Sequence, residues 1–422
     1  MFISTNSGTE TVSALTAVGL RRAGHEVLLY APRIGELAER MRTQGFQVYD
    51  RIADIKEIPD VIHAHHVTPT LIAMARFPNV PVVFTCHSSV FMVEAPIVHP
   101  QIKRWVAVDE ACRRKSIACG VPEQKLSVIH NAVDLTRFIP RSVLPTKPVR
   151  GLMLTKNHHH QKVVREACLK MNIDLDELGP ATGRVSDEIE KELIRYDVVF
   201  ATARMAIEAA SVGCAVVVCD ARGFAGLLTC ENMNNWRDWN LGVGLLSQQT
   251  NVENLIEAIG AYNSEDAFRV SEYFRSVVGL DKYTEAYLVV YQQAIDDHLK
   301  SANNDYALDN SRWIEELSVT IPERKWFNIA TELGMIQKGN DQALLVSRFD
   351  AISDALQNYE SMARIGQASA EQAVLQLNAT NQSLQTLVEK VTEIERFNSQ
   401  IKRFYHSILP TFIRKYLYKL RK

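Results

Sequence analysis

The sequence predicts an α/β protein built from two doubly wound parallel-sheet domains, with a helical extension behind them. Three observations carry this. Short apolar runs alternate with helical patterns through the first part of the chain, a proline-bracketed break near Pro140 to Pro148 separates two such series, and beyond about residue 300 the strand-like runs give way to a helical apolar seam. At 422 residues the chain also exceeds one typical domain. The expected division is 1–145 for the first domain, 146–280 for the second, 281–298 for a helix returning to the first, and 299–422 for the extension.

The elements follow in order. Phe2-Ile3-Ser4-Thr5 reads as a clipped strand, and Asn6-Ser7-Gly8-Thr9 as a turn with helix-capping chemistry. Val12, Leu15, Ala17 and Leu20 then recur at near-helical spacing up to Gly24, a natural stop. Val27 to Tyr30, Val61-Ile62, Val82 to Thr85 and Trp105 to Val108 read as buried strands of a parallel sheet. After the break come Gly151 to Leu154, Val198 to Ala201 and Cys214 to Cys219, with a short helix over Met205 to Val212. A long amphipathic helix is expected from about Leu280 to His298.

In the extension, apolar residues from Leu345 through Leu356, Leu377, Leu384 and Val391 to Ile401 alternate three and four apart, a heptad pattern over about 345–408. It fits either a helical hairpin packed on the body or a coiled coil, and hence self-association. The tail, 409–422, joins aromatic and apolar groups to five cations without an anion between Phe412 and Lys422. It fits a solvated basic tail or an interfacial helix giving weak contact with an anionic membrane surface.

Composition excludes several classes. A formal charge of −2 gives no field that favours nucleic acid. The seven cysteines are scattered and odd in number, without a C-x-x-C pair, which argues against a disulfide framework or a structural zinc site. No apolar run has membrane-spanning length, and the start shows no charged-then-apolar leader, so a cytoplasmic protein is expected.

Candidate site residues stand at strand ends and helix starts. Gly8 permits close backbone approach just where a helix N-terminus offers N–H donors to a phosphate. His87 follows the strand Val82 to Thr85, and ligands of parallel sheets lie at such C-terminal ends. A neutral imidazole there can hydrogen-bond a hydroxyl. His63 and His65 are read first as structural. The His158 to His160 triplet is read as a polar loop, because adjacent residues do not readily converge on one metal ion; no metal and no cofactor are expected. Glu208 stands four residues after Arg204, so a simple pair across one helical turn is one reading of it. The Trp236 to Gly242 stretch is read as packing.

The ordered run from Trp105 to Phe138 carries a more specific signal: strand, helix, Gly120-Val121-Pro122, strand, then Asn131-Ala132-Val133-Asp134 and Phe138. It resembles the end of the N-terminal domain in family 4 of the retaining glycosyltransferases, with Asp109, His130 and Ala132 where Ser, Pro and Gly are common. Ser7 to Glu10, Arg21 to Val27, Pro59 to His65 and Thr85 to His87 fall into the same register. The stretch Phe200 to Val218 resembles the family's Glu-x7-Glu region, with Glu208 on the second glutamate and Phe200 where the first would fall.

The resemblance covers about residues 1 to 298. It implies a GT-B fold, two Rossmann-like domains facing across a cleft, and metal-independent transfer of a sugar from a nucleoside diphosphate donor to a glycan or lipid-linked acceptor with retention. It implies catalytic roles for His87 and Glu208, and donor contacts from Gly8, Lys156, Lys162, Arg204, Glu208, Arg222 and Gly223. The absent first glutamate favours an alternative, a degenerate GT-B scaffold acting through its coiled coil. A GT-B sugar-nucleotide epimerase is a third reading, for which the paired carboxylates are not identifiable. With the basic tail, the resemblance points to cell-envelope polysaccharide synthesis at the inner face of the membrane.

Overall fold

The computed structural model describes residues 8–91, 94–155, 158–186, 188–301 and 306–318. The chain divides at Pro322, and the described residues all lie on its N-terminal side. The expected first strand at Phe2 to Thr5, the heptad pattern and the basic tail fall outside them.

In the first half of the body the order is α1 (Gly8–Arg22), β1 (Leu28–Tyr30), α2 (Glu36–Thr43), β2 (Gln47–Tyr49), β3 (Ile62–Ala64), α3 (Val67–Arg76), β4 (Val82–Cys86), β5 (Ile102–Ala107), α4 (Glu110–Ala118) and β6 (Leu126–Val128). Strands β3, β4, β5 and β6 form a parallel sheet in that order, and β1 pairs with β2 in a second parallel ladder. Period-two alternation sends neighbouring side chains to opposite faces. Val83 and Val106 meet α1 on one side, while Val82, Phe84 and Trp105 meet α3 on the other.

The second half runs β7 (Arg150–Leu154), α5 (Gln161–Lys170), β8 (Asp174–Leu178), α6 (Ile189–Leu193), β9 (Val198–Ala201), α7 (Ala203–Val212), β10 (Ala215–Asp220), β11 (Gly223–Leu227), α8 (Met233–Arg237), α9 (Val252–Gly260) and α10 (Ser264–Val277). The sheet order is β11-β10-β9-β7-β8, parallel except for β11. Leu152, Val199 and Val216 face α7 and α10, whereas Met153, Phe200 and Val217 face α5 and α9. Continuous apolar strands are what a sheet covered by helices on both faces requires.

Helix α11 (Leu280–Lys300) returns to the first sheet, and α12 (Tyr306–Ser318) follows it. Leu280, Tyr283, Tyr287, Tyr291 and Ala294 form one buried stripe of α11, spaced three or four residues apart and packed with Val12, Val83 and Val106. Each buried phenol has a partner. Tyr283 Oη lies 2.8 Å from Thr16 Oγ1, Tyr287 Oη 3.3 Å from Thr85 Oγ1, and Tyr291 Oη 2.7 Å from His63 Nδ1. Among the described residues no helix is long and apolar enough to cross a membrane.

Helices α1 and α11 approach closely at Gly19, where a Cβ would lie 2.2 Å from Thr284 Oγ1 and 3.1 Å from Leu280 Cδ1. Gly19→Val should therefore wedge α11 away from α1 and cost about 1–3 kcal/mol by overpacking. Urea denaturation of the variant against the parent protein measures that loss; equal midpoints would mean that α11 is not held at this crossing.

Candidate active site

The C-terminal ends of the first sheet gather a cluster of imidazoles. His63 is the middle residue of β3, and His65 and His87 follow β3 and β4 directly. His63 Nε2 lies 2.7 Å from Thr85 Oγ1, so both of its ring nitrogens are engaged, one by Thr85 and one by Tyr291. The His63 and His65 rings stand 4.2 Å apart, and His65 Nδ1 lies 2.8 Å from His87 Nε2. One of that last pair must donate and the other accept, which a neutral imidazole can do with either nitrogen. Burial, reinforced by the neighbouring imidazoles, lowers all three. His63 falls to about 3 and His65 well below the usual value. His87 falls to about 4, with Glu94 acting the other way.

Glu94, which carries no motif in the sequence, closes the cluster. Its buried carboxylate accepts from Thr9 Oγ1 in the first turn of α1, and its Oε1 faces His66 Nε2, at the start of α3, across 3.5 Å. Burial acts to raise its carboxyl, but His66, His87 and Thr9 more than offset this and hold it below the usual carboxylate range. Gly8 is the first residue of α1, one before Thr9. His63 and His65, read first as structural, are thus part of the scaffold that orients His87.

On the second sheet, α7 starts directly after β9 and brings Arg204 and Glu208 together: Arg204 Nη1 donates to Glu208 Oε1. Burial pushes the Glu208 carboxyl up, against the pull of Arg204 and Arg137. Arg137 pairs in turn with Glu190 at 2.9 Å. The pairing across one helical turn is therefore present, whatever else Glu208 contacts. Phe200, expected from the resemblance to stand in place of a first glutamate, is 0% exposed and faces the α5 and α9 side of the sheet.

The remaining donor-side candidates separate. Lys156 lies outside the described residues, and Lys162 is exposed on α5. His160, expected in a polar loop, is instead buried at the start of α5, because that helix packs its first turn against the sheet. Arg222 folds back on Asp220, its Nε 3.0 Å from Oδ2, and Asp220 also accepts from Thr202 Oγ1 at 3.2 Å. Gly223 belongs to the antiparallel strand β11, not to an open loop. A Cβ there would lie 2.8 Å from the Gln248 carbonyl, so packing beneath the 246–248 segment accounts for this glycine. Among the described residues no group of His, Cys, Asp and Glu is arranged to hold a metal ion.

Residues 6–137 match the family model described as Glycosyltransferase Family 4. No curated protein matches the sequence. Among solved structures, the chain is similar to Anabaena Alr3699/HepE in its complexes with UDP (TM-score 0.53) and with UDP-glucose (TM-score 0.52), in each case at 12% identity over 69% of this chain and 98% of that one. This likeness shows the fold, GT-B.

The depressed imidazoles give a pH dependence with a definite sign. Below the ordinary value of 6.5 the unfolded chain takes up protons that folded His63, His65 and His87 exclude. Stability should therefore be level above pH 6.5 and fall as the pH drops from there toward 4, by about 1 kcal/mol per imidazole at pH 5.5. Denaturant titrations at pH 7.5 and 5.5 measure this, and His87→Asn should flatten the slope; a parent protein as stable at pH 5.5 as at 7.5 would contradict neutral, buried imidazoles.

Proposed function

We propose, from the family 4 glycosyltransferase match over residues 6–137 and the GT-B body that carries it, that the protein transfers a hexose from a nucleoside diphosphate donor to a glycan or lipid-linked acceptor, with retention. In this reading residues 1–145 hold the acceptor and 146–280 the donor. The observation that carries it is the buried Glu208 on α7, the helix that follows β9, a carboxylate with a cation at its side. A carboxylate at that place suits the vicinal diol of a nucleotide ribose.

Each half supplies a different part of the chemistry. Departure of a nucleoside diphosphate needs positive potential around the leaving oxygens, for which Arg204, Arg222, Lys156 and Lys162 are the candidates. Two of these are already matched inside the protein, Arg204 by Glu208 and Arg222 by Asp220, so a donor would have to share or displace those carboxylates. On the acceptor side, neutral His87 hydrogen-bonds a sugar hydroxyl and helps orient the anomeric carbon. Closure of two domains excludes water that would otherwise hydrolyse the donor. The reading needs neither metal nor cofactor. With the basic 412–422 tail it places the protein at the inner face of the membrane, in cell-envelope polysaccharide synthesis.

The buried Phe200 favours a second reading, a GT-B scaffold that no longer turns over a donor and acts through the heptad segment. Calorimetric titration with UDP and GDP, with a donor-hydrolysis assay across common nucleotide sugars, separates the two. The enzyme reading expects one nucleotide to bind, with Glu208→Ala weakening it roughly tenfold to a hundredfold through loss of a charge-assisted contact. Absence of both binding and turnover in the parent protein would favour the scaffold.

A further inference from the structure

The Trp236 to Gly242 stretch, which the sequence leaves as packing, is hydrogen-bonded to residues just beyond strands of both sheets. Arg237 and Asn240 are 6% and 1% exposed. Arg237 Nη2 donates to the Asn131 carbonyl at 2.7 Å and Nη1 to Asn240 Oδ1 at 2.7 Å. Asn240 Oδ1 also accepts from the Asn131 amide at 3.2 Å, while its Nδ2 donates to the Val108 carbonyl. The Glu110 amide, at the start of α4, donates to the Asp238 carbonyl at 2.9 Å. Val108 directly follows β5 and Asn131 lies just beyond β6, so this turn grips the ligand-facing ends of the first sheet.

The same turn reaches the second-domain site. The Leu241 carbonyl accepts from the amide of Ala203, the first residue of α7, at 2.7 Å. Asn240, Leu241 and Ala203 all have left-handed backbones, with φ of 50°, 51° and 51°. Asn accepts that conformation readily, but Leu and Ala adopt it only at an energetic cost, and it persists only where surrounding contacts over-determine it. All three lie on the path from Val108 and Asn131 to Arg204 and Glu208. Packing alone does not call for strain collected along one such path.

We infer that Asn240 is a positioning residue that couples the two halves: its carboxamide reads the ends of β5 and β6, and the turn it anchors sets the first turn of the helix bearing Arg204 and Glu208. Engagement of the first sheet and the shape of the Arg204–Glu208 site are then one event. The ligand side of this inference rests on the nucleotide-sugar reading; the coupling itself does not.

Residue-resolved amide exchange on the full chain tests it. Asn240→Gly removes the carboxamide while keeping a backbone at ease with positive φ. In the unliganded protein the Asn131 amide should exchange at least tenfold faster. The Ala203 amide should quicken by a similar factor although its acceptor, the Leu241 carbonyl, is untouched. Arg237→Lys, which keeps a charge but loses the two-pronged donor, should give the same paired quickening at smaller size, and serves if Asn240→Gly does not fold. With UDP as the probe, the parent protein should slow exchange at both amides, and Asn240→Gly should weaken UDP roughly tenfold. Glu208→Ala should lose the UDP effect yet keep the unliganded protection of Asn131. A faster Asn131 amide beside an unchanged Ala203 amide would overturn the coupling. A parent protein that binds neither UDP nor GDP would instead overturn the nucleotide reading, with the unliganded comparison still deciding the coupling.

Discussion

The body depends on how α11 is seated beneath the first sheet. A helix that buries three phenols must satisfy three hydroxyls away from water, and an unmade hydrogen bond there costs more than a made one gains. Thr16, Thr85 and His63 meet that demand, one per helical turn. The consequence runs beyond packing. Tyr291 and Thr85 together fix the His63 ring, His63 lies against His65, and His65 holds the ring nitrogen of His87. The orientation of the outermost imidazole is thus set from below, by a helix some two hundred residues later in the chain.

The two sheet ends present different electrostatic problems. The first is a pool of neutral imidazoles around a deeply buried carboxylate, Glu94, held below the usual carboxylate range by His66, His87 and Thr9. The second is built of charge pairs: Arg204 with Glu208, Arg137 with Glu190, and Arg222 with Asp220. Buried or half-buried pairs of this kind offset the desolvation of each partner but add little net stability. Their presence at a strand end keeps cations in place at low energetic cost, available to an anionic ligand only by exchange of partners. The turn at Asn240 lies between the two regions and touches both.

Much of the architecture was legible from period alone. Buried strands with helices on either side gave β4, β7, β9 and β10 nearly to their ends, and α11 within two residues. Strand β5 begins at Ile102, three residues before the apolar run at Trp105, because Lys103 and Arg104 hide its start. In the fold Lys103 donates to Ser301 Oγ just after α11, and Arg104 pairs with Asp297 on that helix. Strand β11 was not legible, since glycines at 223 and 226 look like an open loop until Phe224 pairs with Gln248 across the sheet edge.

Chemistry was legible as residue type and place, not as partnership. The sequence by itself determined that His87 follows a buried strand, that Glu208 lies on a helix after another, and that one βαβ series follows another. Only the tertiary structure decided that His87 is held by His65, that Glu94 and Thr9 close the cluster, that Phe200 is core, and that an unremarkable Trp-Arg-Asp-Trp-Asn turn joins Val108 and Asn131 to Ala203. The reason is physical. Periodicity records which face of an element meets apolar neighbours, a local property, whereas hydrogen-bond partners are chosen by proximity between segments tens to hundreds of residues apart.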